Sequence, residues 1–328
     1  MRRKLAEITV DPNGAERLSR LGIGGLIGLG SLIYSLLQIG KLVGEPALLG
    51  ESQILAAWMT PERIHADSAC DVLYGSAGAI LALLALNREA PEVSVGGCSP
   101  LQAAADCARN LLDRQQSFSG GPRAWRSLPG LPPLGGFSHG AAGICYALLR
   151  LYQQTGEPSL VESADEGFAF ERTLYSSERK GWRDPKSTNA ARYSAGWCLG
   201  AAGEAVSRLA AREVLATPEI RAELALGLEI ARSAPPEPVD HLCCGMLGRA
   251  ESLLFAAETL GDGELRRAAE ELAREALVRR DKAGSFQWRK EMLGGLFDPT
   301  FFTGASGVGY SLLRLASPRT LPCVLALN

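Results

Sequence analysis

The chain has 328 residues, of which 46% are hydrophobic, 6% aromatic and 21% charged, enough apolar material for a large buried core and the wrong composition for a disordered or collagen-like polymer. The net charge is −2, and no run of five or more basic residues supplies a positive stripe for a phosphate backbone. Nucleic acid is therefore excluded as an expected partner.

Met1-Arg2-Arg3-Lys4 opens like a targeting segment, but Glu7, Asp11, Glu16, Arg17 and Arg20 interrupt any apolar core behind it. No export signal is read, and a cytoplasmic protein is expected. Residues 1–20 read as an N-terminal segment or outer helix ahead of a single domain over 21–328. The uncharged stretch 21–40 is long enough to cross a bilayer. However, Gly22, Gly24, Gly25, Gly28 and Gly30 crowd its first half, and it follows the same phrase as later segments that carry Arg or Glu. It is expected as a buried core helix and not as a membrane span.

That phrase is Gly-x-x-Gly, which recurs as Gly25/Gly28, Gly75/Gly78, Gly140/Gly143, Gly200/Gly203, Gly245/Gly248 and Gly304/Gly307 at intervals of 45 to 65 residues. Such a period signals a helical array or a closed ring. Counting from the second glycine, positions +1, +5 and +8 are Leu29/Ile33/Leu36, Ala79/Leu83/Leu86, Ile144/Leu148/Leu151 and Val308/Leu312/Leu315, one apolar stripe at helical spacing. These four copies are expected as amphipathic helices. In the fourth and fifth copies Glu204 and Arg249 take the first stripe position and weaken the pattern.

Between the phrases lie more polar stretches, 101–115, 160–174 and 263–281, rich in Ala, Leu, Glu and Arg, which read as outer helices. Segments 87–100, 117–136, 176–196, 234–240 and 283–303 are rich in Gly and Pro and mostly lead into the inner helices. The inner-helix starts should then line one rim, and function is expected there. No alternating strand-length run recurs. The expected fold is all-α, a double-layered α/α toroid of about 12–14 helices in which neither layer could bury its apolar face alone.

Cys198 precedes Gly200 by two, Cys243 precedes Gly245 by two, and Cys244 adjoins that glycine. If the repeats superpose, these thiols share one mouth, and three thiolates with an open fourth position suit a zinc ion. Isolated cysteines such as Cys107 and Cys145 read as small core residues, and all eight are expected as reduced thiols. His139 adjoins Gly140 on the same rim, either as acid, base or ligand or as a capping histidine. Asp71, four residues before Gly75, is either a helix N-cap or a partner that orients His139 and raises its basicity. Arg192 and Arg183 lie in the loop before Cys198, where a cation either stabilises developing negative charge or is simply solvated. His241 is expected next to the ligands or in solvent, and His65 in a structural role.

The ordered phrases Asp71-Val72-Leu73-Tyr74-Gly75, Gly136-Phe137-Ser138-His139-Gly140, Trp197-Cys198-Leu199-Gly200 and Leu242-Cys243-Cys244-Gly245 together resemble the lanthionine cyclase family. Residues 22–49 resemble its first repeat, and 302–315 with 321–325 resemble the close of the cyclase domain in class II lanthipeptide synthetases. The resemblance implies an α/α toroid with one zinc at its rim, joining peptide cysteine thiols to dehydroalanine or dehydrobutyrine to close thioether rings. It implies Cys198, Cys243 and Cys244 as zinc ligands and His139 with Asp71 as the acid/base pair. Arg192 is a substitute for the family's arginine, because Ser194 occupies the usual spacing. The implied partners are a dehydrated precursor peptide and a dehydratase domain or protein, which class II enzymes carry ahead of this region.

Two departures bear on chemistry. Cys243-Cys244-Gly245 stands where most members have Cys-His-Gly and resembles a three-thiolate subgroup, and Leu199 replaces the usual His or Tyr. Three thiolates leave zinc with a net negative charge where two thiolates and an imidazole leave it neutral, so a bound substrate sulfur should be more nucleophilic. The rival expectation is a ring of this kind that binds thiols or peptides, or docks a dehydratase, without turnover. With five Trp, seven Tyr and nine Phe, an aromatic-rich prenyltransferase toroid has less support.

Overall fold

A computed structural model describes residues 12–185, 193–288 and 297–328. Six helices carry the glycine phrase: α2 (Leu29–Val43), α5 (Ser76–Glu89), α7 (Ala141–Thr155), α9 (Ala201–Val214), α11 (Met246–Leu260) and α13 (Ala305–Ala316). Between them run α3 (Pro46–Ala56), α6 (Pro100–Arg114), α8 (Pro158–Leu174), α10 (Pro218–Ser233) and α12 (Gly263–Ala283), with α1 (Pro12–Arg20) and the short α4 (Pro61–Ala66) completing the helices of the described residues. Two antiparallel hairpins interrupt the loops, β1 (Gln116–Ser117) with β2 (Arg123–Ala124) and β3 (Tyr175–Ser176) with β4 (Gly181–Trp182).

The two sets of helices start differently. The outer helices α6 and α10 begin with proline behind a capping side chain: Ser99 accepts from the Gln102 N–H at 3.2 Å and Thr217 from that of Ile220 at 3.3 Å. For α12 the cap is Asp262, which accepts from Glu264 and Leu265 at 2.8 and 3.2 Å. The inner helices begin at Gly28, Gly75, Gly200, Gly245 and Gly304 with no side-chain cap. Their first-turn N–H groups donate instead to carbonyls seven residues back in the approach loop. Leu29 donates to Gly22 at 2.8 Å, Ala141 to Leu134 at 2.9 Å, Ala201 to Ser194 at 3.1 Å, Met246 to Val239 at 3.0 Å and Ala305 to Asp298 at 2.8 Å.

This arrangement explains both glycines of the phrase. A Cβ at Gly140, Gly200 or Gly304 would lie 2.0, 2.2 or 2.3 Å from the carbonyl oxygen of Gly135, Ser194 or Asp298. At Gly203, Gly248 and Gly307 it would lie 2.0, 1.9 and 1.8 Å from those of Trp197, Leu242 and Phe301. The approach loop crosses the helix start at a separation that only hydrogen side chains allow.

The first copy corrects the sequence alignment. Its helix starts after Gly28, so Gly28 and not Gly25 is the equivalent of Gly75, and residues 21–28 are the approach loop. The uncharged stretch thus supplies only residues 29–40 of a 15-residue helix that runs on through Lys41 to Val43, and no helix of the described residues is long and apolar enough to cross a membrane.

The amphipathic expectation holds in α2, where Leu29, Ile33 and Leu36 are buried and Ser35 and Ile39 exposed, but not in α5. Residues 76–83 of α5, 201–211 of α9 and 246–257 of α11 are buried without interruption, on every face. The reason is that an inner helix is enclosed by neighbours. Among the described residues, α11 packs against α9, α10, α12 and α13. In α13, by contrast, Leu312 and Leu315 stay half-buried. The polar residues in the stripe are anchors: buried Arg249 donates to the carbonyls of Ala231, Ala234 and Pro235 at 3.0, 2.9 and 2.8 Å, satisfying the end of α10.

By packing, the described residues form two compact units: those of Met1–Pro133 with Ala147–Glu166 and Leu327–Asn328, and those of Leu134–Tyr146 with Gly167–Ala326. In the first, α2 packs against α3 and α5, and α5 against α6. In the second, α9, α11 and α13 follow one another, backed by α10 and α12.

Candidate metal centre

Within each unit, the residue two before a helix-start glycine is hydrogen-bonded to its equivalent in the following copy. In the first unit the Leu26 N–H donates to the Leu73 carbonyl at 3.3 Å. In the second, Ser138 donates to Cys198 at 3.1 Å, Cys198 to Cys243 at 3.2 Å and Cys243 to Phe302 at 2.9 Å. Equivalent residues are therefore spatial neighbours within each unit, and Cys198 meets Cys243 as the repeat requires.

The Sγ atoms of Cys198, Cys243 and Cys244 lie within 4.8 Å of one another. Sulfurs sharing a tetrahedral zinc at about 2.3 Å would be about 3.8 Å apart, and a soft thiolate set suits that ion. Cys198 and Cys244 are buried and Cys243 is half-buried, which shields the cluster while leaving one side approachable. Hydrogen bonding to Cys243 and Cys244, reinforced by burial, holds the Cys198 thiol well above the usual range. A cation among the three would oppose that shift by favouring thiolates. The residues thus fit a thiophilic metal. No disulfide forms among the described residues.

Close backbone packing supports the cluster. Gly196 passes against Cys244, where a Cβ would lie 3.2 Å from the Cys244 Cα. Gly136 has φ +84° and lies against the Cys198 carbonyl and Leu199 Cα, 2.8 and 2.7 Å from where a Cβ would stand. Trp197, fully buried, packs on Phe137 at 5.5 Å and stacks on Phe302 at 6.2 Å.

The other sequence candidates separate. His139 is half-buried, and its neighbour Ser138 donates to the Cys198 carbonyl through both N–H and Oγ, at 3.1 and 3.2 Å. The histidine's segment is therefore tied to the backbone of a cluster cysteine. Asp71, in the first unit, is fully buried; its Oδ1 accepts from the Tyr74 N–H at 2.6 Å, capping the turn into α5. Arg192 lies outside the described residues. Arg183 is exposed, and the Ser194 hydroxyl accepts from the Gly196 N–H at 3.0 Å. His241 is fully buried, which overturns a solvated position for it, and His65 is exposed on α4.

Two buried charge clusters escaped the sequence analysis. Arg208 on α9 donates to Glu171 on α8, to Glu204 at 2.6 Å and to Glu223 at 3.1 Å, with its guanidinium 4.4 Å over the Phe168 ring. Burial, then the charge of Glu171, holds the Glu204 carboxyl well above the usual carboxylate range. The i,i+4 spacing of Glu204 and Arg208 was a visible signal, but nothing local announces Glu171. In the other cluster Arg314 bonds Glu258 and lies 3.3 Å from Glu251, whose carboxyl burial pushes up to about 7.

Alternating inner and outer helices with glycine-started inner ends define an α/α toroid class of fold. The solved structure of nisin cyclase shares it, with a TM-score of 0.68 and 15% identity over 98% of this chain and 89% of that one. A sugar epimerase from a ruminal bacterium aligns with a TM-score of 0.49 and 12% identity, over 83% and 85% of the respective chains. No curated protein matches by sequence. The sequence does match the lanthionine synthetase C-like protein family over residues 5–326, and the chain belongs to that family.

Proposed function

We propose that the chain closes thioether rings in dehydrated peptides. A peptide cysteine sulfur bonds to the β-carbon of a dehydroalanine or dehydrobutyrine, the carbon–carbon double bond is consumed, and a proton returns at the α-carbon. Mass is conserved, and neither redox chemistry nor a nucleotide is needed. The observation that carries this reading is the convergence of three sulfurs within 4.8 Å, those of Cys198 and Cys243 at repeat-matched positions and that of Cys244 beside them, in a lanthionine synthetase C-like chain.

Cys198, Cys243 and Cys244 would hold zinc, which when bound supplies the Lewis acidity that favours deprotonation of a substrate thiol, ordinarily of pKa about 8.5, near neutral pH. His139 serves as the acid that returns the proton to the α-carbon of the substrate enolate. Asp71 serves as its orienting partner, and Arg192 as the cation opposite developing enolate charge. The Cys243-Cys244-Gly245 form supports placement with the three-thiolate class II enzymes, and hence with a dehydratase domain or protein as partner.

The test combines the purified chain with a dehydrated, cysteine-containing peptide. Alkylatable thiols should disappear without a change in peptide mass. His139→Asn should keep about one zinc per chain and lose this activity, whereas Cys243→Ala should lose the metal as well. Equal residual cyclisation by wild type and His139→Asn, no faster than in buffer, would favour a ring that binds thiols without turnover.

A further inference from the structure

The Gly136 N–H faces two buried carboxylates, Glu171 Oε1 at 3.1 Å and Glu204 Oε1 at 3.0 Å. One acceptor would satisfy it. In the next copy the equivalent N–H, that of Gly196, is satisfied by the hydroxyl of Ser194 in its own loop. The third copy instead recruits acids from two helices and clamps both with Arg208, whose guanidinium is itself held by Glu223 and the Phe168 ring.

Such a network is a poor choice for stability alone. Burying charges carries a desolvation penalty, and well-packed apolar residues of similar volume often do as well or better. What the acids hold is the segment 136–140. Its near end is fixed at Gly136 by the carboxylates, and two residues on, Ser138 is fixed to the Cys198 carbonyl through N–H and Oγ. His139 comes next. The loop is thus pinned on one side to rigid helices and on the other to the backbone of a cluster cysteine.

We infer that Glu171 and Glu204, clamped by Arg208, lock the loop 136–140 and thereby set the position of His139 relative to the cysteine cluster. They are positioning residues for ring closure and rest, in that role, on the function proposed above. A displacement of about 1 Å at an acid/base group costs on the order of 100-fold in rate, so loosening this loop should act on turnover and spare substrate binding.

The test uses the full, zinc-loaded chain and compares Glu171→Gln/Glu204→Gln with wild type and with Glu166→Gln, which alters only a surface contact of α8 with the side chain and N–H of Arg123. In the double variant, hydrogen exchange of the amides at 136–139 should rise about 10-fold or more, and kcat should fall about 10- to 100-fold. KM and the zinc per chain should stay unchanged, and Glu166→Gln should match wild type throughout. Should the double variant fail to fold, Glu171→Asp/Glu204→Asp, which draws both carboxyls back from Gly136 while keeping two acids beside Arg208, should give the same split. Unchanged exchange in a folded variant overturns the lock, and loss of zinc together with activity overturns the positioning role. If wild-type protein closes no ring, the proposed function fails while the exchange comparison still decides whether the acids hold the loop.

Discussion

Gly248→Ala isolates the contact that builds the metal-bearing rim. Gly248 is the third residue of α11, a position where helix propensity alone favours alanine by about 0.5–1 kcal/mol. A Cβ there would lie 1.9 Å from the Leu242 carbonyl oxygen, whereas real Cβ contacts essentially never fall below 3.0 Å, so the approach loop must retreat by about 1.1 Å. Leu242 is buried and immediately precedes Cys243, whose N–H bonds Phe302 at 2.9 Å and whose carbonyl accepts from Cys198 at 3.2 Å. Overpacking costs about 1–3 kcal/mol and a stretched buried hydrogen bond about 1 kcal/mol. Set against the propensity gain, the variant should lose about 1–3 kcal/mol, lowering Tm by about 1.5–4.5 °C for a chain of 328 residues, and should bind zinc more weakly. Gly309→Ala is the control: Gly309 also lies within a helix, α13, but a Cβ there meets nothing within 4 Å, so this change should raise stability by about 0.5–1 kcal/mol. Calorimetry and zinc titration of both variants decide the matter. If Gly248→Ala raises Tm alongside Gly309→Ala, close approach does not select the second glycine and the reasoning is refuted.

A chelator should lower the Tm of wild type, since an ion at a hundred times its Kd contributes about 2.7 kcal/mol, and should leave Cys198→Ala unaffected; equal shifts in both chains would remove the metal from the cluster. Burial lifts the Glu251 carboxyl from 4.5 to about 7, so the folded chain keeps a proton that the unfolded chain releases between those values. Its contribution is full below the unfolded pKa and is lost as pH rises through the folded one, by about 3 kcal/mol. Denaturant midpoints at about pH 5 and about pH 7.5 should therefore differ less in Glu251→Gln than in wild type, and an identical slope in both would discard the assignment. Arg249→Leu leaves three carbonyls at the end of α10 without their buried donor and should cost about 3–5 kcal/mol in urea unfolding. A loss under about 1 kcal/mol would contradict the cap.

The six inner helices, and the meeting of Cys198 with Cys243, were determined by sequence alone, because a repeat with helical periodicity carries its own alignment and places matched positions at matched heights. In the first copy the pattern pointed to the wrong glycine. Gly25 is followed three on by Gly28 and fits the phrase, whereas Gly28 is followed by Ser31; the decision for Gly28 comes from the carbonyls of Gly22, Ile23 and Gly24, which accept from Leu29, Gly30 and Ser31. Glu204 and Arg249 looked like defects in an apolar stripe because their meaning lies in partners brought by other elements. Gly136 meets Glu171 across 35 residues and Glu204 across 68. Periodicity is a property of one helix and can be read along the chain. Which buried charge faces which backbone group depends on how separate helices and loops pack, and only the tertiary structure decided that.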